Sequence, residues 1–318
     1  MFVLPPITPV EPNTTILHLT QEEQAFISKT QTTIITNYDD ICQVCSYAVL
    51  HSVFQGSHVF EKCSQQKHKT MSMVVLPLML RNVLEEGQAS SLLIRSHLYE
   101  PAWIICRTLL ESYYSMSFLL EDGVVDEERA NAFLAWTRCK ALEELNSIEA
   151  DVKTGKLSLD TAQLQSNAEH RKNIEVYLRK PRYSKYATQY KKNIPWFRLC
   201  SNKLNHLRDL AKHLGIEDPH VTIYKYASLK AHAVDPFYAW VHDNSSNNLG
   251  VYATRNPNKH MPILAVMISS LINGCLHKVA HAYLKQDTQM IAGLNESYKA
   301  NRVYLATIAS IQITEGCL

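Results

Sequence analysis

Glycine is scarce in this sequence, with only 9 residues among 318, against roughly 7% in ordinary globular chains. An all-β fold needs many tight turns, and those turns often use backbone conformations that glycine adopts most easily. Alternating runs of strand type are also short, such as residues 31–36. The sequence therefore predicts an all-α fold, organised as a multi-helix bundle.

Helical periodicity recurs along most of the chain, interrupted by short segments rich in Gly, Pro or polar residues. The proline-rich residues 1–18 predict an extended N-terminal arm, and residues 19–318 a single helical domain. Thr20 and Glu23 have the spacing of a capping box, which would begin a helix that ends near residue 51.

The remaining helices are bounded by Pro and Gly residues. One helix is predicted over 68–86, with Pro77 as a kink or a new start and Gly87 as its end. The C-terminal part predicts a helical hairpin over 261–311, and residues 242–259 a long loop. Further helices are predicted over residues 101–121, 126–154, 158–179, 195–215 and 221–232.

The N-terminal sequence "MFVLPPITPVEPN" has no basic segment and carries four prolines, so we expect neither a signal peptide nor a transmembrane helix there. The longest uncharged stretches are shorter than the roughly 20 residues that cross a bilayer. The eight cysteines are scattered, which is typical of reduced thiols. A cytoplasmic protein without membrane attachment is therefore expected.

Arg107 and Glu111 are the only charged side chains between Pro101 and Leu120. Four residues apart on a helix, they share one face, and burying an unpaired charge costs several kcal/mol. We interpret the pair as part of a polar pocket between helices. The alternative is an exposed face carrying an ordinary surface ion pair.

Tyr224, Ser228 and His232 recur at intervals of four residues in "IYKYASLKAHAVDP". This spacing aligns a phenol, a hydroxyl and an imidazole along one side of a helix. Glu111 could fix the tautomer of His232 while Arg107 holds an anionic group beside it. The alternative is a core histidine that a backbone carbonyl satisfies.

Arg208 and His213 are separated by four residues and match the Arg-x4–6-His signature of HEPN-type ribonucleases, which are helical and cleave RNA without a metal. In such chemistry the histidine would handle the proton of the 2′-hydroxyl and the arginine would stabilise charge on the phosphate. His277 and His281 are one turn apart, but Lys278 occupies the position of the general base of a zinc protease. No metal or cofactor is predicted.

Residues 170–213 contain 12 Lys or Arg against 2 acidic residues, although the whole chain has a net charge of only +2. Aromatic residues alternate with these cations, a composition that is typical of surfaces that neutralise phosphates and stack unpaired bases. The alternative is a solvated basic face that packs on an acidic partner subunit. The predicted nucleic-acid-binding residues are Arg179, Lys180, Arg182, Tyr183, Lys185, Tyr186, Tyr190, Lys191 and Lys192.

Two stretches, "SLLIRSHLYEPAWIICRTLLESYYSMSFLLED" at residues 91–122 and "YKYASLKAHAVDP" at residues 224–236, resemble the bacterial helical family DUF5677 over about residues 75–285. The family pattern has an Arg-Thr/Ser-Leu-x-Glu helix followed by a Tyr-x-x-x-Ser-x-x-x-His helix. The proline that follows the histidine in the family is shifted here to Pro236. The resemblance implies an all-helical bundle in a bacterial cytoplasm, with a weaker similarity to HEPN-like and abortive-infection proteins. The matching residues are Arg107, Glu111, Tyr224, Ser228 and His232.

These patterns lead to one functional expectation and two rivals. The first is a cytoplasmic bacterial effector or toxin of the phage-defence or toxin–antitoxin type that acts on RNA, with His232, Arg107 and Glu111 as its chemical centre and Arg208 with His213 as second choice. It would be held in check by an antitoxin partner, and a homodimer is left open. The rivals are a non-catalytic binding or scaffold protein whose polar network is structural, and a protein with a small-ligand pocket.

Overall fold

The computed structural model describes residues 38–65, 72–217, 223–224, 227, 240–243, 248–251 and 260–309. The predicted arm at residues 1–18 and the predicted capping box lie outside them. The helices are α1 (Tyr38–Ser64), α2 (Ser72–Arg95), α3 (Tyr99–Leu119), α4 (Glu127–Lys153), α5 (Thr161–Leu178), α6 (Pro181–Gln189), a 3-10 helix (Trp196–Leu199), α7 (Leu207–His213), α8 (Met261–Tyr283) and α9 (Thr288–Ala309).

Most of the described chain is helical, which confirms the prediction of an all-α multi-helix bundle. The predicted C-terminal hairpin is also confirmed, because α8 and α9 are joined by a short turn and pack on each other. The first part of the loop predicted at 242–259 contains strands. A short antiparallel pair, β1 (Trp240–Asp243) and β2 (Asn248–Val251), occupies its first part.

Helix α8 is the central element of the bundle. It packs against α1, α2, α3 and α9, and most of its apolar side chains are buried. It is the one described helix that is long and apolar enough to span a membrane by length and composition. However, 61% of its most apolar 18-residue stretch is buried inside the bundle. This burial is what a core helix requires.

A second layer of the bundle is built on α4, which packs against α5, α6 and the 3-10 helix and also contacts α2 and α3. Local sequence signals explain where its helices begin. The Asp126 carboxylate accepts a hydrogen bond from the backbone N–H of Arg129 at 2.9 Å, and Asp160 with Gln163 forms a capping box at the start of α5. Both devices satisfy backbone donors that have no partner within the helix.

Gly87 does not end α2, so that prediction was wrong. The helix continues to Arg95, and a Cβ atom at position 87 would lie 2.6 Å from Val53 Cγ2 and 2.8 Å from Ile272 Cδ1. The glycine is thus needed where α1, α2 and α8 approach each other closely. Its role is to allow this close packing, and it does not end the helix.

The single helix predicted over 195–215 is also wrong. The structure has the 3-10 helix and α7 there, separated by a short irregular segment. Asn193, with φ of 66°, adopts the left-handed conformation that asparagine tolerates better than most residues. The chain therefore turns sharply after α6 and leads into the wall of the cleft described next.

Candidate functional site

A cleft of about 870 Å³ lies where the core helices α2 and α3 meet the second layer. Its walls include Glu86 from α2, polar side chains of α3, and Phe133, Trp136 and Lys140 from α4. Residues 193–197 and 205–208 complete the opposite wall, and Tyr224 also lines it. The cleft thus combines cations, carboxyl groups and aromatic rings in one place.

Arg107 and Glu111 lie in this cleft and contact each other. Arg107 Nε lies 3.0 Å from Glu111 Oε1, and the two side chains are 20% and 41% exposed. The pair is therefore neither fully buried nor on an open surface. It lies on a cleft wall, as expected of a polar pocket between helices.

Tyr224 connects this pair to the later motif. Arg107 Nη2 donates a hydrogen bond to Tyr224 Oη at 2.9 Å, and the guanidinium carbon lies 4.4 Å from the centre of the Tyr224 ring. The structure thus brings together residues from both sequence motifs: Arg107 and Glu111 from the first and Tyr224 from the second. Arg107 and Tyr224 are 117 positions apart in the sequence. Ser228 and His232 lie outside the described residues.

Glu86 is a cleft residue that no sequence pattern indicated. Its Oε2 atom is buried and has no hydrogen-bond partner among the residues that the structure describes. Burial raises the pKa of the Glu86 carboxyl from its ordinary value of 4.5 to about 7; the Thr108 hydroxyl acts in the opposite direction, and the charge of Glu111 raises it further. Near neutral pH the group is therefore partly protonated.

We expect Glu86→Gln to stabilise the protein at about pH 8 but not at about pH 5. Because the pKa is higher in the folded state, folded Glu86 keeps a proton that the unfolded chain releases, so stability falls as pH rises from 4.5 to about 7. The glutamine has no charge to bury. The gain at high pH should be about 2 kcal/mol, since partial exposure of the side chain screens the full effect.

The measurement is the free energy of unfolding in urea at both pH values. Glu85→Gln is the matched control, because Glu85 is on the same helix but 58% exposed and paired with Arg81. Equal stability of the Glu86→Gln variant and the parent at high pH would show that ionised Glu86 carries no burial cost.

Arg208 and His213 are not brought to one place in the described structure. Arg208 lines the cleft, whereas His213 Nε2 lies 2.9 Å from Glu121 Oε1 and its ring meets the edge of Phe118. Five positions apart on a short helix, the two side chains point in different directions. Of the two residues, Arg208 lines the cleft and His213 does not.

Glu121 links His213 to Arg129, whose Nη1 lies 2.6 Å from Glu121 Oε2. Burial acts to raise the pKa of the Glu121 carboxyl, but hydrogen bonds from His213 and Arg129 outweigh it and lower that pKa below its ordinary value. This contact attaches the end of α7 to the chain just after α3. It accounts for His213 as a structural contact of the described chain.

The basic segment 170–213 differs from its predicted role in one respect. Tyr183 and Tyr186 are buried in the core, and the Tyr183 ring stacks on Tyr177 at 4.2 Å between ring centres. Buried rings cannot stack on a base, so the stacking predicted for Tyr183 and Tyr186 is corrected to a packing role. Tyr190 is half-buried and packs against the same core.

The cations of the segment remain at the surface, and several are paired within the chain. Arg171 binds Glu149, Lys185 binds Glu128 at 2.9 Å, and Arg179 lies 3.7 Å from Glu175. Lys180 lies near the Tyr177 ring and Arg182 near the Tyr183 ring. The exposed residues Lys191 and Lys192 directly precede Asn193, which lines the cleft.

Metal binding finds no support among the described residues, where no group of three or more His, Cys, Asp or Glu side chains is placed to hold an ion. His277 and His281 stack on each other on α8. Burial, and the neighbouring His281, lower the pKa of His277. The charged and titratable side chains that line the described part of the cleft include Arg107, Arg208, Lys140, His206 and the two glutamates.

The described chain is thus an all-α multi-helix bundle with a polar, partly aromatic cleft. The protein belongs to DUF5677, a family of unknown function whose model matches residues 73–248. That range includes Glu86, Arg107, Glu111, Arg208 and Tyr224. No curated protein and no solved structure matches the chain, and the weaker HEPN-like similarity finds no support in these comparisons.

Proposed function

We propose that this protein is a cytoplasmic bacterial effector of the toxin or phage-defence type that acts on RNA, with the cleft between α2, α3 and α4 as its working site. The observation that carries this proposal is the placement of Arg107, Arg208 and Lys140 around a cleft that also holds two carboxyl groups. Cations at such a site neutralise phosphate charge, and carboxyl groups can accept or donate protons.

Aromatic side chains of the cleft support the same proposal. Trp136, Phe133 and Tyr224 line it, and Tyr224 already accepts the guanidinium of Arg107 against its ring. Unpaired bases stack on rings of this kind with little sequence preference. We propose that these rings, rather than the tyrosines of the basic segment, provide the stacking surface.

The basic segment would guide the strand into the cleft. Lys191 and Lys192 are exposed at the end of α6, and the chain passes from them directly into the cleft wall at Asn193. An effector of this type also requires restraint in its own host. We propose a protein antitoxin as the restraining partner, and a second copy of the chain is the other candidate partner.

Reversing the charge of Lys191 and Lys192 to glutamate is expected to weaken binding of single-stranded RNA. If both lysines neutralise phosphates, the slope of log affinity against log salt should become shallower by about 1.4, at roughly 0.7 per phosphate contact. Fluorescence anisotropy with a labelled RNA over a salt series measures this directly.

Lys153→Glu with Lys156→Glu is the matched control, because both lysines are exposed and the change in charge is the same. Lys153 is thirteen residues beyond Lys140 on α4, which is about 20 Å along the helix axis. If the Lys191/Lys192 variant binds RNA with unchanged affinity and an unchanged salt slope, the basic segment does not contact the strand and this part of the proposal is wrong.

A non-catalytic binding or scaffold protein is the second candidate, and a specific observation favours it. The hydrogen bonds and ring contact of Arg107 are made to Glu111 and Tyr224 within the chain, as in a network that specifies packing. The paired cations of the basic segment fit an ordinary solvated surface. In this case the basic surface would meet an acidic partner or a nucleic-acid complex.

A further inference from the structure

Glu86 differs from the other carboxyl group that lines the cleft. Glu111 is 41% exposed and has a salt bridge with Arg107, whereas Glu86 Oε2 is buried without a hydrogen-bond partner in the described part of the chain. A buried ionised oxygen without a donor is costly, because it has lost water and gained nothing in return. A protonated carboxyl changes this balance, since it carries no charge and its O–H is a hydrogen-bond donor on a side chain that lines the cleft.

We propose that Glu86, as a neutral carboxylic acid, donates a hydrogen bond to a phosphodiester oxygen of an RNA strand bound in the cleft beside Arg107. This inference rests on the RNA function proposed above and adds the group that recognises the phosphate. The raised pKa of Glu86, about 7, supports it, because the acid form is substantially populated near neutral pH.

The charged and titratable groups around Glu86 come from several elements of the bundle. Thr108 and Glu111 of α3 act on its carboxyl, and Arg107 of α3 lines the same cleft. From α8, Cys275 lies near Glu86, and Lys278 lies near Cys275; burial raises the pKa of the Cys275 thiol to about 12, so that thiol stays neutral. Lys140 of α4 lines the cleft, and so do His206 and Arg208 from the opposite wall.

A phosphodiester is the ligand chemistry that fits this arrangement. Its single negative charge would be held by Arg107 and Arg208. Glu86 would donate a hydrogen bond to it as an uncharged group. An ionised Glu86 would repel the same phosphate. Binding should therefore take up one proton at Glu86, and it should weaken as pH rises through about 7.

The test is equilibrium binding of an uncleavable oligodeoxythymidine, at constant ionic strength, at about pH 6 and about pH 8. Its phosphodiesters keep the same charge over this range, so a change in affinity reports on the protein. We expect wild-type affinity to fall about tenfold between the two values, because the unbound protein has lost the Glu86 proton that binding must restore. Glu86→Gln, which donates a hydrogen bond at every pH, should bind with little pH dependence.

Two further variants make the result specific. Glu85→Gln removes an exposed carboxylate one position away and should retain the wild-type pH dependence. His206→Gln removes the imidazole on the cleft wall, and imidazole is the side chain that ordinarily titrates between pH 5 and 8. Loss of the pH dependence in His206→Gln, or its persistence in Glu86→Gln, would overturn the assignment to Glu86.

Sulfate is the second probe, and it separates this inference from the RNA function. Sulfate binding whose pH dependence is removed by Glu86→Gln, without any binding of the oligonucleotide, supports Glu86 as the donor to an anion and refutes the nucleic-acid function. Oligonucleotide binding with the same pH profile in wild type and Glu86→Gln refutes Glu86 and supports the nucleic-acid function. If neither probe binds, both proposals fall.

Discussion

Arg107→Ala is expected to lower the free energy of unfolding by about 2–4 kcal/mol and to abolish any action on RNA. The side chain is only 20% exposed. Its removal takes away the cation that pairs with Glu111 and the hydrogen bond that Arg107 donates to Tyr224 Oη. The contact with the Tyr224 ring is lost as well, which weakens the attachment of α3 to the segment that carries the later motif.

Arg81→Ala provides the matched control for stability. Arg81 and Glu85 form the same arginine–glutamate pair at a spacing of four residues, 2.8 Å apart, but their side chains are 60% and 58% exposed. Exposed pairs of this kind contribute about 0–1 kcal/mol. Urea unfolding should therefore separate the two variants clearly. Equal losses in the two would mean that the Arg107 network contributes no more than a surface pair.

Arg107→Lys distinguishes the RNA-acting protein from the scaffold. Lysine keeps the charge and much of the stem but lacks the planar fork that binds Glu111 and Tyr224 at once. For an RNA-acting cleft, Arg107→Lys should retain most of the stability and still lose activity. The measurement is growth arrest of a bacterial host together with new RNA ends in total RNA. A scaffold would instead keep its function in proportion to the folded fraction of each variant.

The elements of the fold that are set by local signals could be predicted from the sequence. Apolar periodicity and capping residues place α3, α4 and α5 within a few residues of their observed ends. The spacing of Arg107 and Glu111 on an otherwise apolar helix indicated a shared polar site. The contact of Arg107 with Tyr224 shows that the two family motifs meet in space.

Features that depend on contacts between distant segments could not be predicted. Gly87 has the local character of a helix end, but its role is set by Val53 and Ile272 on neighbouring helices. Tyr183 and Tyr186 have the pattern of an aromatic, basic surface until α6 packs them against the core. In each case the same residue suits two environments, and only tertiary packing decides between them.

Glu86 is the clearest example of this limit. In the sequence it is one of two adjacent glutamates before a glycine, a pattern typical of a solvated helix end. Its exposed neighbour Glu85 does face solvent, while Glu86 is turned toward α3 and the cleft. A rotation of one residue on the helix, about 100°, separates a surface charge from a buried acid.

Trp196→Ala is expected to lower the free energy of unfolding by about 3–5 kcal/mol, the usual cost of removing a large buried aromatic side chain. Trp196 is 5% exposed. Its ring lies 5.5 Å from that of Phe118 on α3 and 5.3 Å from that of Phe133 on α4, and its Nε1 donates to Ser115 Oγ at 3.3 Å. It therefore connects the 3-10 helix to both layers of the bundle.

The same substitution should remove ligand binding even where the chain stays folded, because Trp196 forms part of the cleft wall that continues toward Arg208. Trp196→Phe keeps a ring between Phe118 and Phe133 and should restore much of the stability, while Phe54→Ala is the control for an aromatic side chain that is 53% exposed. Urea unfolding and oligonucleotide binding measure the two effects separately. A loss in Trp196→Ala as small as that in Phe54→Ala would show that the ring cluster does not hold the wall. Full binding by a destabilised Trp196→Ala protein would place the ligand away from this cleft, since a site built on that wall cannot survive its removal.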